Sequence, residues 1–184
     1  MISEVVKACN FNLKKISGFK YILSEKHKLS LIKSHILNKL DYCSILLVNA
    51  PANQINRLQM IIHKGIRFVH LLKKRDSVTT HLKNDHILPM KERIKYKSCV
   101  FVFNILHGLC PHYMKDMFQC RFPNEFNLRS NNDDLMFSQT TDTHTLQYGM
   151  IMNWNALPYT LRSVSTSEAF KRLLKTYYFT NVYA

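Results

Sequence analysis

The chain has 184 residues, 46% apolar and 11% aromatic, with 26 Lys or Arg against 12 Asp or Glu and a formal net charge of +14. That length and apolar content suffice for one domain with a core, or for two small ones, and exclude a chain disordered throughout. So strong a positive balance attracts polyanions, of which nucleic acid is the commonest inside a cell; a basic soluble surface with no dedicated ligand has the same composition.

In chain order the pattern is helical. Ser24 and Glu25 open a segment in which Leu29, Ile32, Ile36, Leu37 and Leu40 recur at spacings of three and four, predicting a helix to about Leu47. Pro51 and Asn53 interrupt it, and a second helix follows with Ile55, Leu58, Ile62, Ile66 and Val69 on one face. Arg57, Lys64 and Arg67 fall on the opposite side, an arrangement that permits phosphate contact and equally describes any solvated amphipathic helix. Lys73, Lys74 and Arg75 close this cationic stretch, where positive charge is also favoured by the helix dipole. Leu88-Pro89 starts a third helix with Ile94, Phe101, Val102 and Ile105 toward a core, and Gly108 and Pro111 stop it. Tyr113, Met114 and Phe118 are expected to add a short docking turn.

From 119 to 147 the composition turns polar, with Asn131, Asn132, Asp133 and Asp134 in a Ser/Thr-rich tract, and a linker or loop is expected. The last helix carries a capping box, Ser165 with Glu168, followed by Phe170, Leu173, Leu174 and Tyr177 on one face. The predicted organisation is mainly α: a helical bundle over 1–118, a polar loop over 119–147, and a small C-terminal subdomain over 148–184 closed by a helix.

The charge is concentrated in the front half: residues 1–97 hold 19 Lys or Arg and 6 Asp or Glu, whereas residues 98–184 hold 7 and 6. The longest uncharged run, Ser98 to Met114, falls short of the about 20 apolar residues that span a bilayer, so no membrane partner is expected. The first ten residues lack a secretory pattern, which points to an intracellular protein of nucleus or cytoplasm, not a secreted one. Five cysteines without paired spacing read as reduced thiols, mostly small buried hydrophobes. Cys43, beside Ile45, Leu46 and Leu47, reads as a buried, inert thiol.

The search for chemistry is mostly negative. Asp133-Asp134 is the only adjacent acidic pair, and its polar surroundings do not read as the β-hairpin that holds two metal ions in a polymerase. His107, Cys110 and His112, with His81 and His86 upstream, supply ligand types without the two spaced pairs of a structural zinc site, and Gly108 and Pro111 among them look like helix-stop residues. No phosphate-binding glycine loop, dinucleotide fingerprint or nucleophile elbow is present, and no cofactor is expected.

Four strings remain: Leu40-Asp41-Tyr42-Cys43-Ser44, Leu88-Pro89-Met90-Lys91-Glu92-Arg93-Ile94, Leu106-His107-Gly108-Leu109-Cys110-Pro111 and Asn153-Trp154-Asn155-Ala156-Leu157-Pro158. In this order they resemble the region downstream of the palm in reverse transcriptases of non-LTR retrotransposons, of the Jockey-like, long interspersed type. Arg129-Ser130 and Tyr148-Gly149 match that family's pattern, while the segment from Met150 to Asn153 is shorter than the family's, as if deleted. The resemblance implies a polymerase-thumb-like bundle that grips template-primer nucleic acid, whether RNA, DNA or their hybrid, by its backbone, with the palm of a reverse transcriptase as a further partner. It implies no catalytic residue here, because the palm carboxylates are missing, and Met1 stands close to where the family's thumb begins, as in a truncated copy or a fragment of a longer reading frame. In that role Arg57, Lys64, Arg67, Lys73, Lys74 and Arg75 would neutralise phosphates. Two other readings stay open: a domesticated interaction module using Phe170 and Leu174, and a non-functional relic of a retroelement.

Overall fold

The computed structural model describes residues 2–120, 135–136 and 145–183, and among them the protein is mainly α-helical. Two compact units are present, residues 1–93 with Tyr183 and residues 94–182, so the division falls within α6 (Met90–Leu106). Most of the tract expected as a linker, with Arg129-Ser130 and Asp133-Asp134, lies outside the described residues.

The first unit opens with α1 (Ile2–Ser17), a helix absent from the elements predicted by apolar spacing. The second helix is not continuous to Leu47. It comprises α2 (Glu25–Ile32), one π-helical turn (Lys33–Leu37) and α3 (Asn38–Asp41). Ser24 caps α2, its Oγ accepting from the His27 amide. Tyr42 is extended and Cys43 left-handed with φ 53°, which breaks the ladder before a separate 3-10 turn, Ser44–Leu47. The apolar run Ile45 to Leu47 belongs to that turn, and Cys43 is exposed, contrary to the expectation of a buried thiol.

The helix α4 (Ala52–Val69) has α1, α2 and the π turn packed against it. Its buried set, Leu58, Ile61, Ile62, Gly65, Ile66, Phe68 and Val69, is wider than the predicted stripe because α1, α2 and the π turn all lie against it. At Gly65 a Cβ would meet Ile32 Cγ2 at 3.1 Å, so α2 approaches here as closely as it does because the side chain is absent. The C-terminus of α4 ends in a Schellman arrangement: the Leu72 amide reaches the Arg67 carbonyl (3.1 Å) across Leu71, at φ 56°. Lys28, only 4% exposed, donates to the Val69 carbonyl (3.3 Å), a cation at the negative end of the helix dipole. Beside it His70 lies between the Glu25 and Asp85 carboxylates (Nε2 to Asp85 Oδ2, 2.8 Å), with its ring against His81. The same cap recurs after α5 (Thr79–Asn84), where His86 takes φ 55° and the Ile87 amide bonds to the Leu82 carbonyl (3.0 Å).

Two side-chain links hold the start of α6. The Met90 amide donates to Gln59 Oε1 (2.7 Å), which leaves Gln59 Nε2 to donate to His63 Nε2 (2.7 Å), so His63 accepts as a neutral ring. Burial, with Arg67 beside it, holds the His63 pKa below the usual imidazole value. Arg93 forks onto Asp41 through Nε (2.9 Å) and Nη2 (2.5 Å), with side chains 17% and 14% exposed. Two of the four sequence strings are thereby joined by a bidentate ion pair.

In the second unit Val102, Phe103 and Ile105 are buried, whereas Phe101 is only half-buried. Gly108, at φ 70°, ends α6 with the Gly108 amide on the Ile105 carbonyl and the Leu109 amide on the Asn104 carbonyl. A 3-10 segment (His112–Met117) follows; Phe118 is buried, but Tyr113 is 67% exposed and does not dock. β1 (Gln119–Cys120) pairs antiparallel with β2 (Leu135–Met136), and α7 (Leu146–Asn155), α8 (Tyr159–Arg162) and α9 (Ser167–Tyr183) complete the unit. Trp154, 2% exposed, lies 5.8 Å from the Phe170 ring, which stacks on Phe103 at 4.3 Å. Asn153 Nδ2 donates to Ser98 Oγ (3.1 Å), and Asn155 exchanges two bonds of 3.0 Å with the Leu135 backbone. The stripe of α9 is Phe170, Leu174 and Tyr178; Leu173 is 41% exposed. That helix begins at Ser167, with the Phe170 amide on the Thr166 carbonyl, so Thr166 stands at the cap in place of the expected Ser165 and Glu168 box.

Two outcomes follow from the first unit. Asp41→Asn and Arg93→Gln should each lower unfolding free energy by about 2 kcal/mol in urea titrations, since each leaves a charged hydrogen-bonded partner unpaired. The double variant should lose less than the two singles together. Because the folded state disfavours a proton on His63, the unfolded chain binds more protons as pH falls below about 6.5, and stability should drop there. Thermal melts of His63→Gln, which still accepts from Gln59, should show a shallower loss between pH 7 and pH 5 than the parent.

Candidate nucleic-acid interface

The cations singled out in the sequence separate into three groups. Arg57 and Lys64 are exposed, seven residues apart on α4, and each bonds to α1: Arg57 Nη2 to Ser3 Oγ (3.3 Å) and Lys64 Nζ to Asn10 Oδ1 (2.9 Å). Both contacts advance together, so α1 and α4 run parallel and the two charges line one seam. The side of α4 that read as open to solvent thus carries a helix along its edge. An ammonium has three donors and a guanidinium five, so neither bond exhausts its cation.

Arg67 does not join that row. It is half-buried, and its Nη2 reaches the Asp76 carbonyl (3.4 Å), bracing the turn beyond α4. Lys73, Lys74 and Arg75 sit in that turn and not on the helix, all exposed. Asp76 closes it, its Oδ2 accepting from the Lys73 amide (2.7 Å) while its own amide donates to the Lys73 carbonyl (3.2 Å). Residues 1–93 as a whole hold 17 Lys or Arg and 6 Asp or Glu.

A further group lies outside the cations that the sequence pattern singles out. Phe11 (58% exposed), Phe19 (51%), Tyr21 (83%) and Ile22 (77%) project from the end of α1 and the turns after it. Lys15 Nζ lies 4.6 Å from the centroid of the Phe11 ring, and Lys20 Nζ 5.4 Å from that of Tyr21. The signal was present as aromatic residues alternating with lysines, with no acid between Glu4 and Glu25.

Other candidates are accounted for by packing. His107 Nδ1 bonds to the Phe103 carbonyl (2.9 Å) and its ring stacks on Phe103 at 3.8 Å. Among the described residues no group of three or more His, Cys, Asp or Glu is placed to hold a metal ion. Phe170 and Leu174, considered above as a partner-binding face, are fully buried within the second unit and offer no such face. No helix among the described residues is long and apolar enough to cross a membrane.

The chain is thus a mainly α protein with a basic first unit. No protein-family model, curated protein or solved structure matches it.

Thiol chemistry gives a direct check of these placements. Burial pushes the Cys99 thiol up to about 11 and raises that of Cys9, whereas Cys43 is exposed. Iodoacetamide at pH 8 should therefore alkylate Cys43 in the folded chain and spare Cys9 and Cys99 until denaturant is added, read by peptide mass spectrometry.

Proposed function

We propose that this chain binds nucleic acid through backbone phosphates, as a fragment resembling the thumb and downstream region of a non-LTR retrotransposon reverse transcriptase, without a polymerase site of its own. The observation that carries the proposal is the exposed pair Arg57 and Lys64, followed by the cationic turn 73–75, in a unit with 17 Lys or Arg and 6 Asp or Glu. Seven helical residues span about 10.5 Å along the axis. Three base steps of a duplex strand rise by about as much, at 3.4 Å each, so the seam can meet phosphates of one strand. The bidentate Asp41–Arg93 pair supports the family reading, since it gives two of the resembling strings a shared structural purpose. An intracellular setting, in nucleus or cytoplasm, belongs to the same proposal, as does the palm of a reverse transcriptase as partner.

Binding of this kind is salt-sensitive and largely indifferent to sequence. The test is a titration of the chain against a blunt 20-bp RNA–DNA duplex at 50 and 200 mM salt, beside a variant with Arg57, Lys64, Lys73, Lys74 and Arg75 replaced by alanine. Affinity should fall steeply with salt, and the variant should bind at least ten-fold more weakly, with a smaller salt slope. Arg67 is left intact, because its contact with the Asp76 carbonyl supports the turn. A folded parent chain that binds no duplex at 50 mM salt, or a variant that binds like the parent, refutes the proposal.

A further inference from the structure

We infer that the end of α1 and the turns after it form a second binding surface, for single-stranded nucleic acid, with bases stacked on Phe11, Phe19 and Tyr21 and phosphates met by Lys14, Lys15 and Lys20. The inference extends the nucleic-acid reading to a different ligand form and a different surface, and its test separates the two. Three aromatic rings more than half exposed within eleven residues leave apolar area in water that the fold does not cover. Every charged side chain between Glu4 and Glu25 is a lysine, so whatever covers the rings meets a uniformly positive border.

The geometry selects among polyanions. Lys15 and Lys20 hold their ammonium groups near the rings of Phe11 and Tyr21, so ring and cation stand within one nucleotide's reach of each other. That pairing suits a chain of alternating flat bases and phosphates, in which each unit offers a face to stack and a charge to neutralise. An anionic membrane is less well served. A helix that lies on a bilayer buries a broad apolar face. The inner side of α1 is already used against α4 and the π turn, with Cys9 fully buried. A base-paired duplex is not suited either, since its bases are stacked on one another and present edges, not faces.

The rings are dispensable for folding by their exposure, so Phe11→Ala, Phe19→Ala and Tyr21→Ala can be combined, with a far-UV melt to confirm a folded chain. Tyr21→Ala alone, outside any helix and 83% exposed, serves if the triple variant melts early. Fluorescence anisotropy with a fluorescein-labelled 20-nucleotide oligo(U) at 150 mM salt should show at least ten-fold weaker binding for the triple variant and about three-fold for Tyr21→Ala. Replacing the same three residues by tryptophan should preserve affinity. The blunt 20-bp RNA–DNA duplex should be bound within two-fold of the parent by every ring variant, whereas the variant with Arg57, Lys64, Lys73, Lys74 and Arg75 replaced by alanine loses duplex binding through the first surface. The inference is overturned if the parent does not bind oligo(U), if the alanine variants bind it as the parent does, or if they lose oligo(U) and duplex equally. It is also overturned if phosphatidylserine vesicles or a 20-residue polyglutamate peptide displace the oligo(U) and bind in a ring-dependent way at lower concentration.

Discussion

The contact between Ile32 and Gly65 sets the spacing of the first unit. A glycine within a helix costs about 1 kcal/mol relative to alanine, and Gly65 sits inside α4 a little over one turn before its C-terminal end, facing the fully buried Ile32 side chain. With a Cβ at that point the isoleucine would have to give way, and α2 could not sit as near. That approach brings Lys28 within reach of the Val69 carbonyl and Glu25 beside His70, so the C-terminus of α4 is closed by side chains from α2. With α2 and the π turn covering one part of α4, α1 covers another, and Arg57 and Lys64 are left along the seam between α1 and α4. The disposition of the cations is thus a consequence of how the apolar faces pack.

The sequence strings become intelligible as joints. Asp41 and Arg93 form a fork that ties the end of α3 to the first turn of α6. Gly108 supplies the left-handed residue of a helix cap. Asn155 pairs with the backbone of β2 as another strand residue would, while Trp154 fills the space beside Phe170. None of these roles requires a ligand. Short polar and turn residues that connect elements stand out from the apolar repeat of the helices, which is why these strings are legible in the sequence.

Periodicity located α4 and α6 because their apolar residues recur over several turns, after Pro51 in α4 and between Pro89 and Gly108 in α6. It overran α3, since the apolar run Ile45 to Leu47 continues the pattern after Cys43 has turned the chain. It passed over α1, whose Val5, Cys9, Leu13 and Ile16 keep helical spacing among polar neighbours. In α9 the choice between steps of three and four decided the face: Phe170, Leu174 and Tyr178 are buried, while Leu173 is not. Leu71 and His86 could not be read at all, because a left-handed conformation in a residue with a Cβ is imposed by the surrounding fold. The basic residues were legible as charges, but which of them brace and which stand clear depends on tertiary neighbours: Arg67 looked like Arg57 until the turn at Asp76 was placed beside it. The aromatic and lysine cluster escaped because exposed rings resemble core residues in a linear pattern.

The π-helical turn at Lys33–Leu37 carries an implication for how this chain tolerates change in length. Such a turn holds one residue more than the α-helical turn it interrupts. Residues before and after it therefore answer to different phases: Ile32 faces Gly65, whereas Leu40 enters the core and Asp41 aims at Arg93. Loss of a single residue from the turn would restore an uninterrupted helix in which the residues on either side keep their present directions, because it is the apolar repeat along the sequence that the extra residue shifts. The bulge thus takes up one residue of chain, and a one-residue deletion there would be felt at the turn itself more than at the distant Asp41 carboxylate.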